Sequence, residues 1–184
     1  AQRFGAGKKD AVKQSVTNGI LLSIIGAILL TVLGCAIMDP LLHLMNTPDD
    51  IFDMAYTYIT LISLGMIANV FYNLFSSYLR AVGNSKAPLF FLVFSACLNV
   101  GLDLFFIVVL KMGVAGAAWA TNLSQAISAL LCIVYIYCKV PALVPEKKHW
   151  RLTAGDTRYQ MQMGIPMALQ FAITSSGTMI MQSA

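Results

Sequence analysis

The stretch that decides the fold is residues 87–110, which read APLFFLVFSACLNVGLDLFFIVVL. At about 1.5 Å of rise per residue, a helix of about 24 residues crosses the hydrocarbon core of a bilayer. Asp103 is the one acidic residue in this stretch, and Asn99 lies one helical turn before it on the same face. An acid inside an apolar span costs on the order of a few kcal/mol to insert, so it usually faces a cavity or a polar partner.

The composition of the chain excludes a water-soluble domain. Of its 184 residues, 58% are hydrophobic and 11% are charged, whereas a soluble domain carries about 25% charged residues. The net charge of +4 does not indicate a nucleic-acid partner, because the basic residues form short clusters between apolar stretches without interleaved aromatic residues. The expected partner is therefore a lipid bilayer.

Further apolar stretches of similar length flank the first one. They are predicted to be membrane spans and comprise residues 14–38, 49–79, 114–138 and 160–184. The sequence thus predicts an all-α, polytopic membrane helix bundle with about five transmembrane helices. Asp39-Pro40 is expected to end the first span, while Thr47 and Ser85 are candidate N-caps of the second and third spans.

The basic residues set the expected orientation of these spans. Of the 12 Lys and Arg residues, all except Lys111 fall in alternate loops, which must lie on one side of the membrane. The positive-inside rule makes this side cytoplasmic, so residues 1–13, 80–86 and 139–159 are predicted to be cytoplasmic loops. His43 and His149 fall in loops on opposite sides, and both are expected at the surface.

This orientation gives the depth of the polar residues. Asp103 lies about seven residues, or roughly 10 Å, below the outer end of its span. Tyr58 and Thr121 lie at a similar depth in the second and fourth spans. We therefore expect Tyr58, Asn99, Asp103 and Thr121 to share the outer half of the membrane, within a turn or two of one another in height.

Two further spans carry polar residues at helical spacing. Thr121, Ser124 and Ser128 recur along the fourth span with Gln125 beside them, and Gln170 and Thr174 do so along the fifth. One interpretation is that these side chains line a cavity. The alternative is close helix packing through small residues, and the spacing does not separate the two. Asp103 has the same two interpretations, either a functional acid or a structural group that ties helices together through Asn99 or Tyr58.

The sequence contains no motif that indicates an enzyme, a metal site or a cofactor-binding site. Its four cysteines all lie in apolar spans without metal-ligand spacing, and no pattern indicates a catalytic nucleophile or a cofactor-binding loop. We therefore predict that the protein is not an enzyme and has no cofactor and no resident metal.

Five motifs, in order along the chain, carry a resemblance to a known family. They are AQRFGAGKKD at 1–10, YLRAVGNSKAP at 78–88, NVGLD at 99–103, GVAGAAWAT at 113–121 and GIPMALQ at 164–170. In these the chain resembles the multidrug and toxic compound extrusion (MATE) transporters. The resemblance implies a twelve-helix protein with two six-helix lobes. This chain would be a fragment of such a protein, and the missing remainder of the protein would be its partner. Residues 14–138 would be four helices of the N-terminal lobe, 139–159 the inter-lobe linker and 160–184 the first helix of the C-terminal lobe.

The resemblance also implies a function and a site. The family exports drugs from the cell across the plasma or inner membrane, driven by inward proton or sodium flow. Its N-lobe cation site would correspond to Asn99, Asp103, Thr121 and Tyr58, with sodium as a possible occupant at Asp103. Small-molecule drugs, cationic or amphipathic, would be the substrates. A lipid-linked oligosaccharide flippase of the same superfamily and a non-transporting membrane subunit are the alternatives; the flippase should carry arginines inside the spans to meet pyrophosphate.

Overall fold

Long apolar runs give long helices in this chain, because a helix satisfies its own backbone hydrogen bonds where no water is available. A computed structural model describes residues 2–44 and 48–183, and no strand occurs among them. The elements are α1 (Gln2–Gly5), α2 (Lys9–Leu44), α3 (Asp49–Ala81), α4 (Lys86–Asp103), a π-helical turn (Leu104–Val109), α5 (Gly113–Lys139) and α6 (Ala154–Ser183). The prediction of an all-α membrane bundle is confirmed.

Within residues 2–44 and 48–183, four helices are long and apolar enough to cross a membrane. The segments are Lys9–Ile37, Ile51–Ala81, Lys86–Val109 and Gly113–Lys139. Helix α6 is also long, with 30 residues, but its glutamines, threonines and serines lower its hydropathy, and it is not among the four. Large apolar side chains such as Leu89, Phe90 and Val93 point outward from α4, as a lipid-facing surface requires.

The membrane-capable part of α2 ends at Ile37, next to the predicted end of the first span at Met38. The expectation that Asp39-Pro40 ends the helix is wrong, because α2 begins at Lys9 and continues through Asp39 and Pro40 to Leu44. A proline removes one backbone hydrogen bond and disturbs the preceding turn, but a helix can continue past it. Helix α6, the predicted last span, begins at Ala154 rather than at Gln160. The prediction left out these first turns because they contain charged residues.

The predicted caps differ from the observed ones. Ser85 makes no capping hydrogen bond; instead the side-chain oxygen of Asn84 accepts the backbone N–H of Ala87 at 3.1 Å. Gly83, with φ +88°, makes the turn that brings Asn84 into this position. The other candidate cap, Thr47, lies outside the described residues.

Helix α5 lies at the centre of the bundle. It packs against both α3 and α4, while α2 packs against α3. Its buried residues are small, which lets neighbouring helix backbones approach closely; they include Gly116, Ala118, Ala120, Ser124, Ser128, Ala129 and Cys132.

Gly65 of α3 lies in close contact with Asn122 of α5. The amide nitrogen of Asn122 donates to the carbonyl oxygen of Leu61 at 2.7 Å. A Cβ atom on Gly65 would lie only 1.8 Å from the side-chain oxygen of Asn122. Glycine at position 65 therefore makes room for an interhelical hydrogen bond.

The apolar core gathers at one end of the bundle, which we call the basic end and define by Lys13, Arg80 and Lys139. The buried residues of this core are Val12, Val16, Ile20, Tyr72, Phe75, Leu79, Phe91, Ala129, Cys132, Ile136 and Leu143. The opposite end, which holds Asp103, contributes none of these residues.

The connection between α5 and α6 folds back onto the basic end. Lys13 pairs with Glu146 at 2.5 Å, and Lys148 pairs with Asp10 at 3.1 Å and with Glu146 at 3.2 Å. His149 is only 5% exposed, accepts the Glu146 backbone N–H at its Nδ1 atom and lies 3.4 Å from Asp10. The expectation of a surface His149 is wrong, because two short 3₁₀ turns carry it inward.

The start of α6 is held by the first long helix. The Asn18 side chain accepts the Thr153 backbone N–H at 3.1 Å and donates to the Thr157 hydroxyl at 3.0 Å. The Gln160 amide donates to the Ser15 carbonyl oxygen at 3.0 Å. Beyond these contacts, α6 is exposed from residue 161 to residue 178.

The first prediction concerns the α3–α5 contact. Gly65→Ala should displace the Asn122 side chain and break its hydrogen bond to Leu61, at a cost on the order of 1 kcal/mol. Thermal unfolding of the intact protein in detergent is the measurement. In an Asn122→Ala background the same substitution should have no further effect, since the obstacle is gone. An equal loss of stability in both backgrounds would contradict this explanation.

The second prediction concerns the docked connection. Hydrogen bonds from Lys13 and Lys148 lower the pKa of Glu146 from its ordinary 4.5 to about 2. Because the pKa of Glu146 is depressed in the folded state, the stabilisation that its ion pairs give to the docked connection is fully present above pH 4.5. This stabilisation is lost as the pH falls through about 2.

At neutral pH, Glu146→Gln should loosen the docked connection and so speed tryptic cleavage after Arg151 by about two- to fivefold. Lys8→Gln, which removes a charge outside these ion pairs, is the control and should leave the rate unchanged; an unchanged rate in Glu146→Gln would refute the role of the ion pairs.

Candidate functional site

The candidate site lies along the seam between α4 and α5, which run antiparallel. The Ser95 hydroxyl donates to the Ser124 carbonyl oxygen at 3.2 Å, and the Asn99 amide donates to the Thr121 hydroxyl at 3.4 Å. Residue numbers therefore rise along α4 as they fall along α5. This register places Asp103 one turn beyond the Asn99–Thr121 pair, toward the end of the bundle opposite the basic end.

Asp103 has an enclosed oxygen atom that lacks a partner. Its Oδ1 atom is buried, and within the described part of the chain no donor forms a hydrogen bond to it. Most buried polar atoms in proteins are paired, because an unpaired one loses its hydration without compensation. The carboxylate is therefore a group that a proton or a cation would satisfy.

The neighbouring polar groups supply further oxygen atoms. The Thr121 hydroxyl donates to the Ala117 carbonyl oxygen at 3.0 Å and accepts from the Asn99 amide, so Asn99 turns its nitrogen toward α5. Among the described residues, no donor contacts the side-chain oxygen of Asn99. Hard cations prefer oxygen ligands, and the residues on this seam are of that kind.

Tyr58 lies at a comparable height on α3. The Asn122–Leu61 hydrogen bond fixes the register of α3 against α5 and puts Tyr58 within about one turn of Thr121. Its side chain is 37% exposed, and its hydroxyl makes no hydrogen bond to another described residue. Its membership of the site stays a prediction.

The predicted cavity-lining residues of the fourth span fall into two groups. Ser124 and Ser128 are buried in the bundle interior, and their hydroxyls donate to the carbonyl oxygens of Thr121 and Ser124, both at 2.9 Å. This arrangement is the one expected for close packing. Gln125 is half-buried with an enclosed, unpartnered Oε1 atom, but it lies one turn from Thr121 on the side away from Asp103.

The predicted residues of the fifth span are on α6, outside the four-helix bundle. Gln170 and Thr174 are exposed, and the Thr174 hydroxyl donates to the Gln170 carbonyl oxygen at 2.8 Å. The structure does not bring either residue to the α4–α5 seam, and their role in a cavity stays a prediction.

A polar stripe on α3 was not singled out from the sequence. The Asn73 amide donates to the side-chain oxygen of Asn69 at 2.9 Å, the Ser77 hydroxyl to the Asn73 carbonyl oxygen at 2.7 Å, and Arg80 to Ser77 at 3.4 Å. All four side chains are exposed. Amides on a membrane helix do not face lipid without a large cost, so this face indicates a watery cavity or a protein contact. The four-residue spacing of 69, 73 and 77 was the available signal.

A separate cavity of about 550 Å³ lies at the basic end. Its wall includes Phe4, Tyr78 and Arg3, whose guanidinium is already paired with Asp156 at 2.6 Å. It shares no residue with the Asp103 seam, and we treat it as distinct from the candidate site.

The family model MatE matches residues 1–105 of the chain. The chain therefore belongs to the MatE family, the family of the MATE transporters.

Relatives from several bacteria resemble the chain over nearly its whole length. It is 34% identical over 180 residues to "Probable multidrug resistance protein YpnP" of Bacillus subtilis, a match that covers 95% of this chain and 40% of the relative. It is 28% identical to "Probable multidrug resistance protein NorM" of Thermotoga maritima, covering 98% of this chain and 39% of the relative. The chain thus spans about two fifths of the length of these curated relatives.

A solved structure shares the fold. It is described as the "Inward-facing conformation of a multidrug resistance MATE family transporter of the MOP superfamily". The TM-score is 0.83 with 26% sequence identity, and the match covers 90% of this chain and 38% of that one.

The third prediction separates packed residues from cavity-lining ones. In an intact protein whose cysteines have been replaced, Ser128→Cys should resist a water-soluble maleimide because position 128 is fully buried. Asn73→Cys, on the exposed polar stripe, should be labelled. Rapid labelling of Ser128→Cys would instead place the serine stripe on a water-filled cavity, and failure of Asn73→Cys to react would place the α3 stripe against protein or lipid.

Proposed function

We propose that the intact protein containing this chain exports cationic or amphipathic small molecules by antiport with protons or sodium ions. The observation that carries the proposal is the Oδ1 atom of Asp103, enclosed and unpartnered in a membrane-capable helix. Membership of the MatE family and relatives named as probable multidrug resistance proteins support it.

The coupling step follows from the charge of Asp103. An ionised carboxylate in this seam attracts a cation, whether a coupling ion or the positive group of a substrate. A proton or sodium ion arriving from outside neutralises the carboxylate and so removes its attraction for a cationic substrate. Asn99 and Thr121 hold the neighbouring part of the seam in register through their hydrogen bond.

Alternation between inward and outward access completes the cycle. A bound ion shifts the balance between two access states only by as much as it prefers one of them. The protein then releases the substrate outward while the ion-loaded state carries the ion inward. Tyr58 is proposed to join the site in one of these states.

The substrate path is proposed to run along the polar face of α3. Asn69, Asn73 and Ser77 offer hydrogen-bond donors and acceptors to a ligand, and Arg80 stands at the basic end. Gln170 and Thr174 of α6 would face the same path from the other lobe. The basic end is proposed to be cytoplasmic, and the protein to reside in the plasma or inner membrane.

No feature of the described residues favours the flippase alternative. A lipid pyrophosphate calls for arginines facing a cavity within the membrane, whereas Arg3, Arg151 and Arg158 lie outside the four membrane-capable segments. Arg80 is next to the last residue of its segment. A non-transporting membrane subunit would leave the unpartnered acid without a role.

The fourth prediction tests Asp103 in cells. In a host strain that lacks its own major drug pumps, Asp103→Asn should reduce ethidium efflux by about tenfold or more, because the amide cannot exchange a proton or compensate a cation's charge. The matched control is Asp53→Asn, which removes an exposed acid near the start of α3. Undiminished efflux at equal expression would remove Asp103 from the mechanism.

A further inference from the structure

Helix α4 changes its geometry directly after Asp103. The next six residues, Leu104–Val109, form a π-helical turn, in which Leu110 donates its backbone N–H to the Phe105 carbonyl five residues earlier at 3.0 Å. Lys111, in the loop that follows, adopts φ +53°, which is unfavourable for a residue with a Cβ atom. Such turns are rare and occur frequently at functional sites.

The local sequence does not explain the π-helical turn. Residues 104–109, LFFIVV, contain no glycine or proline that would disrupt an α-helix. A local geometry that the sequence does not explain is expected to depend on the surrounding structure. We therefore expect a tertiary contact at the turn.

The π-helical turn lies close to Gly116 of α5. A Cβ atom on Gly116 would lie 3.0 Å from the Cβ atom of Phe106 and 3.2 Å from the Phe106 carbonyl carbon. The carbonyl carbon belongs to the backbone and cannot rotate away as a side chain can. Glycine at position 116 therefore lets the π-helical turn lie directly against α5.

This contact closes the seam on the far side of Asp103. Asn99 lies four residues before Asp103 and meets α5 at Thr121, while Phe106 lies three residues after it and meets α5 at Gly116. Asp103 thus lies between two points where α4 and α5 touch. Its enclosed Oδ1 atom is explained by this position.

We infer that Gly116 is a positioning residue, which holds Phe106 against α5 and thereby encloses the carboxylate of Asp103. The inference deepens the proposed function, since it rests on Asp103 as the coupling group. An alanine at position 116 would push Phe106 outward and open the seam to water. The enclosure of the acid, and with it the exchange of its coupling ion, would change without any substitution at Asp103.

The test uses dicyclohexylcarbodiimide, which reacts with protonated carboxyl groups in apolar surroundings. In the intact protein at mildly acidic pH, mass spectrometry should find Asp103 labelled in the wild type. Gly116→Ala should slow this labelling by about fivefold or more, as overpacking shifts the seam from closed to open. Gly101→Ala is the matched control, because a Cβ atom there meets nothing within 4 Å, and it should react like the wild type.

A second pair of variants covers the case in which Gly116→Ala fails to fold. Phe106→Ala removes the ring beside the seam without crowding α5 and should also slow labelling, whereas Val108→Ala, at a position that is 64% exposed, should not. Equal labelling in Phe106→Ala and Val108→Ala, or no labelling of Asp103 in the wild type, would overturn the inference. The labelling does not depend on transport, so full efflux by Asp103→Asn would refute the proposed function while leaving this test intact.

Discussion

A polar atom enclosed between membrane helices needs a partner, and the Oδ1 atom of Asp103 lacks one, as do Thr60 Oγ1 and Gln125 Oε1 among the described residues. Of the three residues, Asp103 is the one acid. Other polar side chains of the bundle bond to backbone carbonyls: Asn122 bonds to Leu61 across a helix interface, and Ser128 bonds within its own helix. The Oδ1 atom of Asp103 has no such acceptor or donor among the described residues. Its unmet requirement is the physical basis for proposing that a mobile ion completes the site.

The rest of the architecture can be understood as holding this acid in place. Small residues let α5 approach α3 and α4 closely, so hydrogen bonds and backbone contacts fix the register of all three helices. The apolar core lies at the other, basic end, where the connection to α6 is also docked by ion pairs.

The sequence was sufficient for the class of fold and for the seam, but not for its details. Apolar length predicted the membrane helices, and the depth estimate put Asn99 and Thr121 at similar heights, where a hydrogen bond joins them. That Asp103 and Tyr58 belong to the same site stays a prediction. The π-helical turn was not predictable, because residues 104–109 contain no glycine or proline that would mark it and its close contact with Gly116 forms only in the folded bundle. His149 was misassigned for a similar reason: two short 3₁₀ turns carry it inward against α2, distant in sequence, where its side chain lies 3.4 Å from Asp10. Asp39-Pro40 failed as a stop signal because a helix can continue past a proline.

The most direct test of the account measures ion movement rather than drug movement. Proteoliposomes containing the intact protein are loaded with substrate at a higher concentration inside than outside, and proton and sodium fluxes are recorded with ion-sensitive dyes. In the wild type, one of these ions should move inward as the substrate moves outward. The Asp103→Asn variant should show no such counterflow under the same substrate gradient. Counterflow of equal size in the variant would contradict the claim that this carboxylate couples the two movements.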